Sequence, residues 1–561
     1  MTRWLPREQL QARLDELDRL IAVDDPTGDL RFERAVTLTG LGRDLDARTA
    51  YLDLLAVRPT DFATLNNLGM LLESMGYRSA AQSVFLEAIK HHPDNAMARI
   101  NLGDSLRRSR AIAEAREQYE AALRQAPDHP DAHRGMAYLL TGLGEEEAAR
   151  PHREKAFRDR PTLFYPYRGD GSPIDLLLLA SALGGAVPIR QHIDDRIFAT
   201  TVLFVEFHHP GAPLPPHQVI FNAIGDADLS AAALEAAERL LARTTAPVIN
   251  RPDAVRVTGR VDNARRLAGI PGLIAPKMTL LRRDSRAEAP ALLASHGIFY
   301  PCLLRSPGFH TGENFVRVEG PEDLAAAIDS LPGEELIAIE YLDASGADGK
   351  IRKYRVMMID GRIYPVHAAV SHDWKVHYFT ADMAENEAHR AEDERFLTDM
   401  EGVLGPGRLA VLERITAALG LDYAGTDFGL DRTGNLLLFE ANATVVINPP
   451  DSDPRWDFRR APVQRVLDAI RTLLLDRAAA ALNQRLDKAR ASFDSGDIAG
   501  CAAICEEALS HFSRAPALLH LLGLTRLRLG QREAALNLLE RALALNAGAA
   551  PPFASGRAPQ R

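Results

Sequence analysis

The chain has 561 residues, too many for one compact core, so about three or four domains are expected. With 46% hydrophobic and 25% charged residues it has the balance of a folded globular chain, which excludes a disordered polymer. Its 66 basic and 76 acidic residues leave a net charge of −10, so the bulk positive field that attracts nucleic acid or an anionic membrane is missing. Neither is expected as a partner, and any bound anion must meet a local cluster of cations. The start, MTRWLPREQLQARLDELDRL, is amphipathic and acidic and predicts an N-terminal helix within residues 1–27 rather than an apolar leader. Three cysteines (Cys302, Cys501 and Cys505) cannot build a disulfide framework, and the longest apolar run, Leu176 to Val187, is too short to span a bilayer. Both point to a reducing, cytoplasmic setting.

From residue 28 a repeat sets in. Pro59, Pro93, Pro127 and Pro161 stand 34 residues apart, and the same phase carries small residues (Ala35, Gly69, Gly103, Ala137) and alanines (Ala47, Ala81, Ala115, Ala149). Aromatic residues recur at Tyr51, Phe85 and Tyr119, and Arg153 breaks the series. Two helices that pack closely need small residues where they cross, an aromatic to fill the gap between pairs, and a proline to end the second helix. The pattern resembles the tetratricopeptide repeat and predicts four units over residues 28–165. A solenoid of this kind leaves a face that holds peptides or proteins.

Between about 166 and 480 the texture changes to short β-rich runs. LLLLAS, TVLFVEF and HQVIFNAIG read as buried strands of an α/β lobe over 166–250, with Asn222, Asp226 and Asp228 at a strand end on the edge of a cleft. PCLLRSP, ELIAIEYL, KYRVMMIDGRIYPVHAAV, YAGTDFGLD and NLLLFEAN then give an α+β region over 251–480, with hairpin turns at Asp360-Gly361 and Thr433-Gly434. A turn centred on Thr433-Gly434 sets Asp427 directly across from Glu440, and the period of two puts Asn442 on the same face as Glu440. Two carboxylates and an amide suit a hard divalent ion such as magnesium. Arg305 ends a strand before a loop containing Gly308 and Gly312, whose backbone N–H groups can approach phosphate. Arg355 lies on a later strand, and Arg260 opens a helix after a turn. The cluster His367, Lys375 and His377, in YPVHAAVSHDWKVHYFTADM, is a candidate substrate-contacting set, and AENEAHRAEDERFLTDM reads as a charged surface helix or lid.

The order of these features resembles the ATP-grasp ligases, nearest to glutathione synthetase and the ribosomal-protein glutamate ligases, over residues 170–476. The resemblance implies ATP and Mg2+ as cofactors, with adenine against the hinge Ile339, Glu340, Tyr341 and Leu342 and the ribose near Asp343. It implies phosphate contacts from Arg260, Arg305, Gly308 and Gly312, catalysis assisted by Arg355, and magnesium held by Asp427, Glu440 and Asn442. It also implies a carboxylate attacking the γ-phosphate to give an acyl phosphate, which an amine opens. The chain departs from the family where its two nucleotide-clamping lysines are replaced by Arg260 and Arg305, and where Phe309 and His310 stand in the glycine loop. Arginine keeps the charge with a different reach.

Past the core, Ala489 and Gly523 are again 34 apart, with Ala508 and Ala542 in phase, which predicts a second repeat pair over 482–549 and a Gly/Pro/Ala-rich disordered tail over 550–561. The expected architecture is thus multidomain: helical repeat solenoids flanking an α+β ATP-grasp domain with an α/β N-terminal lobe. The expected function is a carboxylate–amine ligase whose repeats recruit a peptide or protein. The alternatives are an interaction scaffold whose central domain binds ATP without ligating, and transfer of phosphate to a stable acceptor.

Overall fold

The computed structural model describes residues 7–170, 172–308, 314–378, 381–450, 453–512 and 515–547. After a first helix, Arg7–Val23, four antiparallel helix pairs follow: Asp29–Gly40 with Asp44–Val57, Phe62–Ser74 with Arg78–His91, Ala96–Arg108 with Ile112–Gln125, and Pro130–Gly142 with Glu146–Phe157. Local signals start the first helices, since Asp61 accepts from the Thr64 N–H at 2.8 Å and Asn95 from the Met97 N–H at 3.0 Å. The repeated small residues make room for the repeated aromatics. A Cβ at Gly69 would lie 2.4 Å from the Phe85 ring, and one at Gly103 would lie 2.8 Å from Tyr119. Gly69→Ala is therefore expected to destabilise the array by about 1–3 kcal/mol through overpacking, read as a lower urea midpoint.

The fourth repeat departs for a reason visible in its packing. Arg153, in the aromatic position, is buried and donates to the Thr141 hydroxyl at 2.9 Å and to Glu146. Four residues on, Phe157 meets Phe204 at 4.3 Å and Phe207 at 5.7 Å between ring centroids, so this helix seats the array on the α/β core instead of on a fifth repeat.

The first sheet runs in the order Thr162–Tyr165, Phe198–Phe204, Ile174–Ala180, Val219–Asn222 and Val248–Ile249, parallel except for its first strand. The α/β lobe thus begins at 162, inside the segment assigned to the repeats from sequence. Leu177 and Leu179 face the helix Ala231–Leu241, whereas Leu176 and Leu178 face Phe157 and the start of a long helix, Arg460–Asp494. Burial on both faces explains why the strand is continuously apolar.

The second sheet is antiparallel, in the order Met278–Arg282, Glu335–Glu340, Cys302–Arg305 and Phe315–Val318. Leu304, Leu336 and Ala338 pack with helices Ala289–Ser295 and Leu324–Ser330. The alternate residues Leu303, Arg305 and Ile339 point the other way, into the cleft. The third sheet runs Arg362–Ser371, Ile351–Ile359, Tyr423–Leu430, Leu436–Asn442 and Leu273–Ile274. Its Tyr354, Val356 and Phe428 pack on helices Glu387–Thr398 and Met400–Leu419. Asp360 and Gly361 both take positive φ, 49° and 75°, as the predicted tight hairpin requires.

Three expectations change. Leu430 pairs with Leu436, so the second hairpin turn is centred on Thr433 rather than on Thr433-Gly434, and an extra residue, Phe439, then shifts the register by one. The bulge restores the pairing of Asp427 with Glu440, and Phe439 lies over Gly429, where a Cβ would meet its ring at 2.8 Å. The charged segment expected as a surface helix or lid is the packed helix Glu387–Thr398, with His389, Asp393, Phe396 and Leu397 buried. The boundary expected at 480–482 falls inside the helix Arg460–Asp494, which buries Val463, Ile470 and Leu474 in the core and Leu486 and Ala489 in the C-terminal array. Helices Ile498–His511, Pro516–Arg528 and Arg532–Ala547 complete that array. Among the described residues no helix is long and apolar enough to cross a membrane.

Candidate functional site

The third sheet sets four of the sequence candidates in one transverse row: His367 pairs with Arg355, Arg355 with Asp427, and Asp427 with Glu440. Because side chains alternate along each strand, the row and the neighbouring Lys353 share the face opposite Tyr354 and Val356. That face and the cleft face of the second sheet enclose a cavity of about 610 Å³, closed on a third side by the segment Gly185–Pro188 of the first lobe.

At one end the wall is apolar, built from Leu303, Ile339, Tyr341, Leu342, Leu438 and Phe439. Glu340 lines the same end, but its carboxylate accepts the Lys277 backbone N–H at 3.0 Å and lies 3.6 Å from the Lys277 ammonium. Lys277 thus engages this carboxylate, while Glu340 stays in the cavity wall. Asp343 is likewise turned to its own loop, accepting the Ser345 N–H at 2.9 Å, and does not line the cavity.

Towards the middle the cations gather. Arg260, at the first turn of helix Arg260–Leu267, donates to Glu440 at 2.6 Å. Its backbone N–H donates to Asp228 at 2.9 Å, and a Cβ at Gly259 would come within 2.6 Å of that carboxylate. Arg305 is 8% exposed, and burial together with the adjacent Arg260 pulls its guanidinium down to about 10. Gly308 stands at φ 77° beside these arginines, in a crevice also lined by Asp226, Asp228 and Asn442. Gly312, with Phe309 and His310, lies outside the described residues.

Arg355 grips Asp427 with two bonds, 2.6 and 2.8 Å, and Lys353 adds a third contact at 3.2 Å. Although burial acts the other way, these cations hold the Asp427 carboxyl far below the ordinary carboxylate range. Asn442 donates to Glu440 at 2.9 Å, while its own oxygen accepts from Thr444. The three residues proposed as a magnesium set are thus brought together, with Asp427 acting first as counter-ion to two cations. Among the described residues no group of three or more His, Cys, Asp or Glu is placed to hold a metal, so an ion here depends on the amide oxygen of Asn442 as well as the carboxylates.

His367, Lys375 and His377 all line the cavity. Lys375 donates to the Phe315 carbonyl at 3.0 Å, and burial keeps both histidines neutral more readily than usual. His367 is 7% exposed, and its Nε2 is without a hydrogen-bond partner among the described residues, a cost that a polar ligand would remove. Behind it Tyr378 donates to Asp393 at 2.6 Å, and the Ala368 N–H donates to the same carboxyl at 2.7 Å. Burial lifts Asp393 to about 6. A carboxyl raised in the folded state stabilises the fold fully below its unfolded value of 3.8, and that contribution is lost as pH rises through about 6. Asp393→Asn is expected to flatten the change of urea midpoint across that window.

Sequence reasoning missed Lys353, Arg459 and Arg110, which also line the cavity. Lys353 was findable, since it stands two residues before Arg355 on the same strand face. Arg459 ends the short helical turn Pro454–Arg459 and carries no local signal.

A tetratricopeptide-repeat family model matches residues 66–130 and 102–161, and another matches residues 516–548. These segments are tetratricopeptide repeats. The family matches stop short of the α/β region, and no curated protein matches the chain. Among solved structures, the MamA fragment 41-end from Desulfovibrio magneticus RS-1 is 18% identical with a TM-score of 0.25, covering 26% of this chain and 84% of that one. YrrB, titled a TPR protein with an unusual peptide-binding site, is 19% identical with a TM-score of 0.24, covering 28% and 79%. The chain therefore combines tetratricopeptide repeats with a mixed α/β region.

Proposed function

We propose that the α/β region is an ATP-grasp domain catalysing ATP-dependent carboxylate–amine ligation, with the tetratricopeptide repeats recruiting a peptide or protein. The observation that carries this reading is the desolvated pair Arg260 and Arg305 beside Glu440 and Asn442, placed between an apolar slot and the Arg355 row. Two buried guanidiniums repel one another; Glu440, Asp226 and Asp228 offset part of this, and a triphosphate would supply further negative charge. The apolar end, about Ile339 to Leu342, suits a flat base.

In this reading the substrate carboxylate attacks the γ-phosphorus, the bond to the β-bridging oxygen breaks, and ADP leaves. The amine then attacks the acyl carbon, phosphate leaves, and the amine gives up a proton. The chain supplies alignment and charge. Arg260 and Arg305 hold the phosphates, Arg355 steadies the transferred group while Asp427 fixes its orientation, and His367 offers a neutral ring nitrogen to the substrate. Magnesium, when bound, would be held by Glu440 and Asn442 with Asp427 across the hairpin, and it screens phosphate charge. Arg305→Ala is expected to weaken ATP binding by about tenfold to a hundredfold, measured by calorimetry. Release of ADP and phosphate that requires both a carboxylate and an amine tests the reaction.

The engagement of Asp427 by Arg355 and Lys353 favours a second reading, a repeat scaffold whose central domain binds ATP without ligating. ATP binding with no ADP formed across a broad substrate panel supports it over the first.

A further inference from the structure

The turns that close the first helix of each repeat share one geometry. Gly42, Gly76 and Gly144 stand there at φ 70°, 86° and 77°, and Gly496 and Gly530 occupy the corresponding turns of the C-terminal array. The following residue bonds back in the same way each time, from the Arg43 N–H to the Leu38 carbonyl, Tyr77 to Leu72, and Glu145 to Leu140. The 34-residue spacing puts Arg110 in this position in the third repeat, at φ 64°, with the Ala111 N–H bonded to the Leu106 carbonyl. A side chain in this left-handed conformation is strained where glycine is not. Arg110 nevertheless stands in the turn, and it is a repeat-array side chain that lines the central cavity.

The placement of the array makes this possible, because Phe157 anchors it against Phe204 and Phe207 of the first sheet. Within the cavity Arg110 lies close enough for its charge to act on His377, alongside Lys353 and Arg355. Arg459 lines the same cavity with its Nε 4.0 Å from Asp393, and its Nε and the His367 Nε2 are buried and lack hydrogen-bond partners among the described residues. Among the described residues, Lys353, Arg355 and Lys375 line the cavity along with Arg110 and Arg459, away from the Arg260 and Arg305 pair.

We propose that Arg110 reaches from the repeat array into the cavity to bind, with Arg459 and His367, a second anionic group of the substrate, which selects acids carrying at least two carboxylates. The proposal rests on the ligase reading: one carboxylate sits by Arg355 to be activated, and the other stays intact at Arg110 and Arg459. The repeats then form part of the substrate site as well as a recruiting surface.

Replacement by the residue of the other repeats gives a clean test. Arg110→Gly gives the turn the residue of the other repeats, so the full chain is expected to fold, checked by its melting temperature. Calorimetric titration with succinate, glutarate and L-glutamate is expected to show affinity at least about tenfold weaker than in the unmodified chain. Acetate and butyrate binding should change little, and Arg110→Lys should recover part of the dicarboxylate affinity. Equal dicarboxylate affinity in the two chains overturns the proposal, as does failure of every dicarboxylate to bind a chain that binds ATP. ATP titrated in parallel separates the readings: a chain that never binds ATP ends the ligase reading, whereas dicarboxylate loss in Arg110→Gly still supports the anionic subsite.

Discussion

Asp427→Ala is expected to destabilise the protein by about 3–5 kcal/mol, because it strands Arg355 and Lys353 without their counter-ion. Their side chains are 21% and 15% exposed and Asp427 is 4%, so water offsets little of the loss. The effect should appear as a lower urea midpoint at neutral pH and shrink in acid. Asp427 is depressed in the folded state, so its contribution is present above the unfolded value of 3.8 and is lost as pH falls below it. Adding Lys353→Met to Asp427→Ala should return part of the stability, since one stranded charge is then removed. A midpoint unchanged by Asp427→Ala would contradict the buried ion cluster.

Glu440→Gln separates chemistry from folding. Glu440 is 20% exposed, and glutamine keeps both its shape and an oxygen for Arg260, so the fold should persist. Losing the charge removes a carboxylate from the magnesium set, and ADP release is expected to fall by about a hundredfold or more. ATP affinity should hold or rise, because the Arg260 charge is then less neutralised. Turnover close to that of the unmodified chain would remove Glu440 from the metal site.

Much of this site was legible because strand periodicity is local. Arg355, Asp427 and Glu440 each sit in an apolar strand pattern, and the hairpin turn nearly fixed their register. The Phe439 bulge was not legible, since Gly429 makes room for it from the opposite strand. The partners of Glu340 and Asp343, Lys277 and Ser345, were not legible because they depend on how a strand edge and a loop fold back. The helix Glu387–Thr398 looked solvated by composition, yet Asp393 is buried because the Tyr378 hydroxyl and the Ala368 N–H satisfy it. The repeats were legible through their period, and the same period holds the signal for Arg110, a break in a series of glycines. Its reach into the cavity was not legible, because that depends on where Phe157 seats the array.

In the proposed ligation a substrate carboxylate takes the γ-phosphoryl group of ATP. The most direct measurement is to supply candidate acids labelled with heavy oxygen in the carboxylate, together with ATP, magnesium and an amine, and to read the released phosphate by mass spectrometry. Passage through an acyl phosphate leaves one labelled oxygen in each phosphate, with ADP and phosphate formed in equal amounts and only when the acid is present. Unlabelled phosphate from ATP turned over independently of the acid would contradict it.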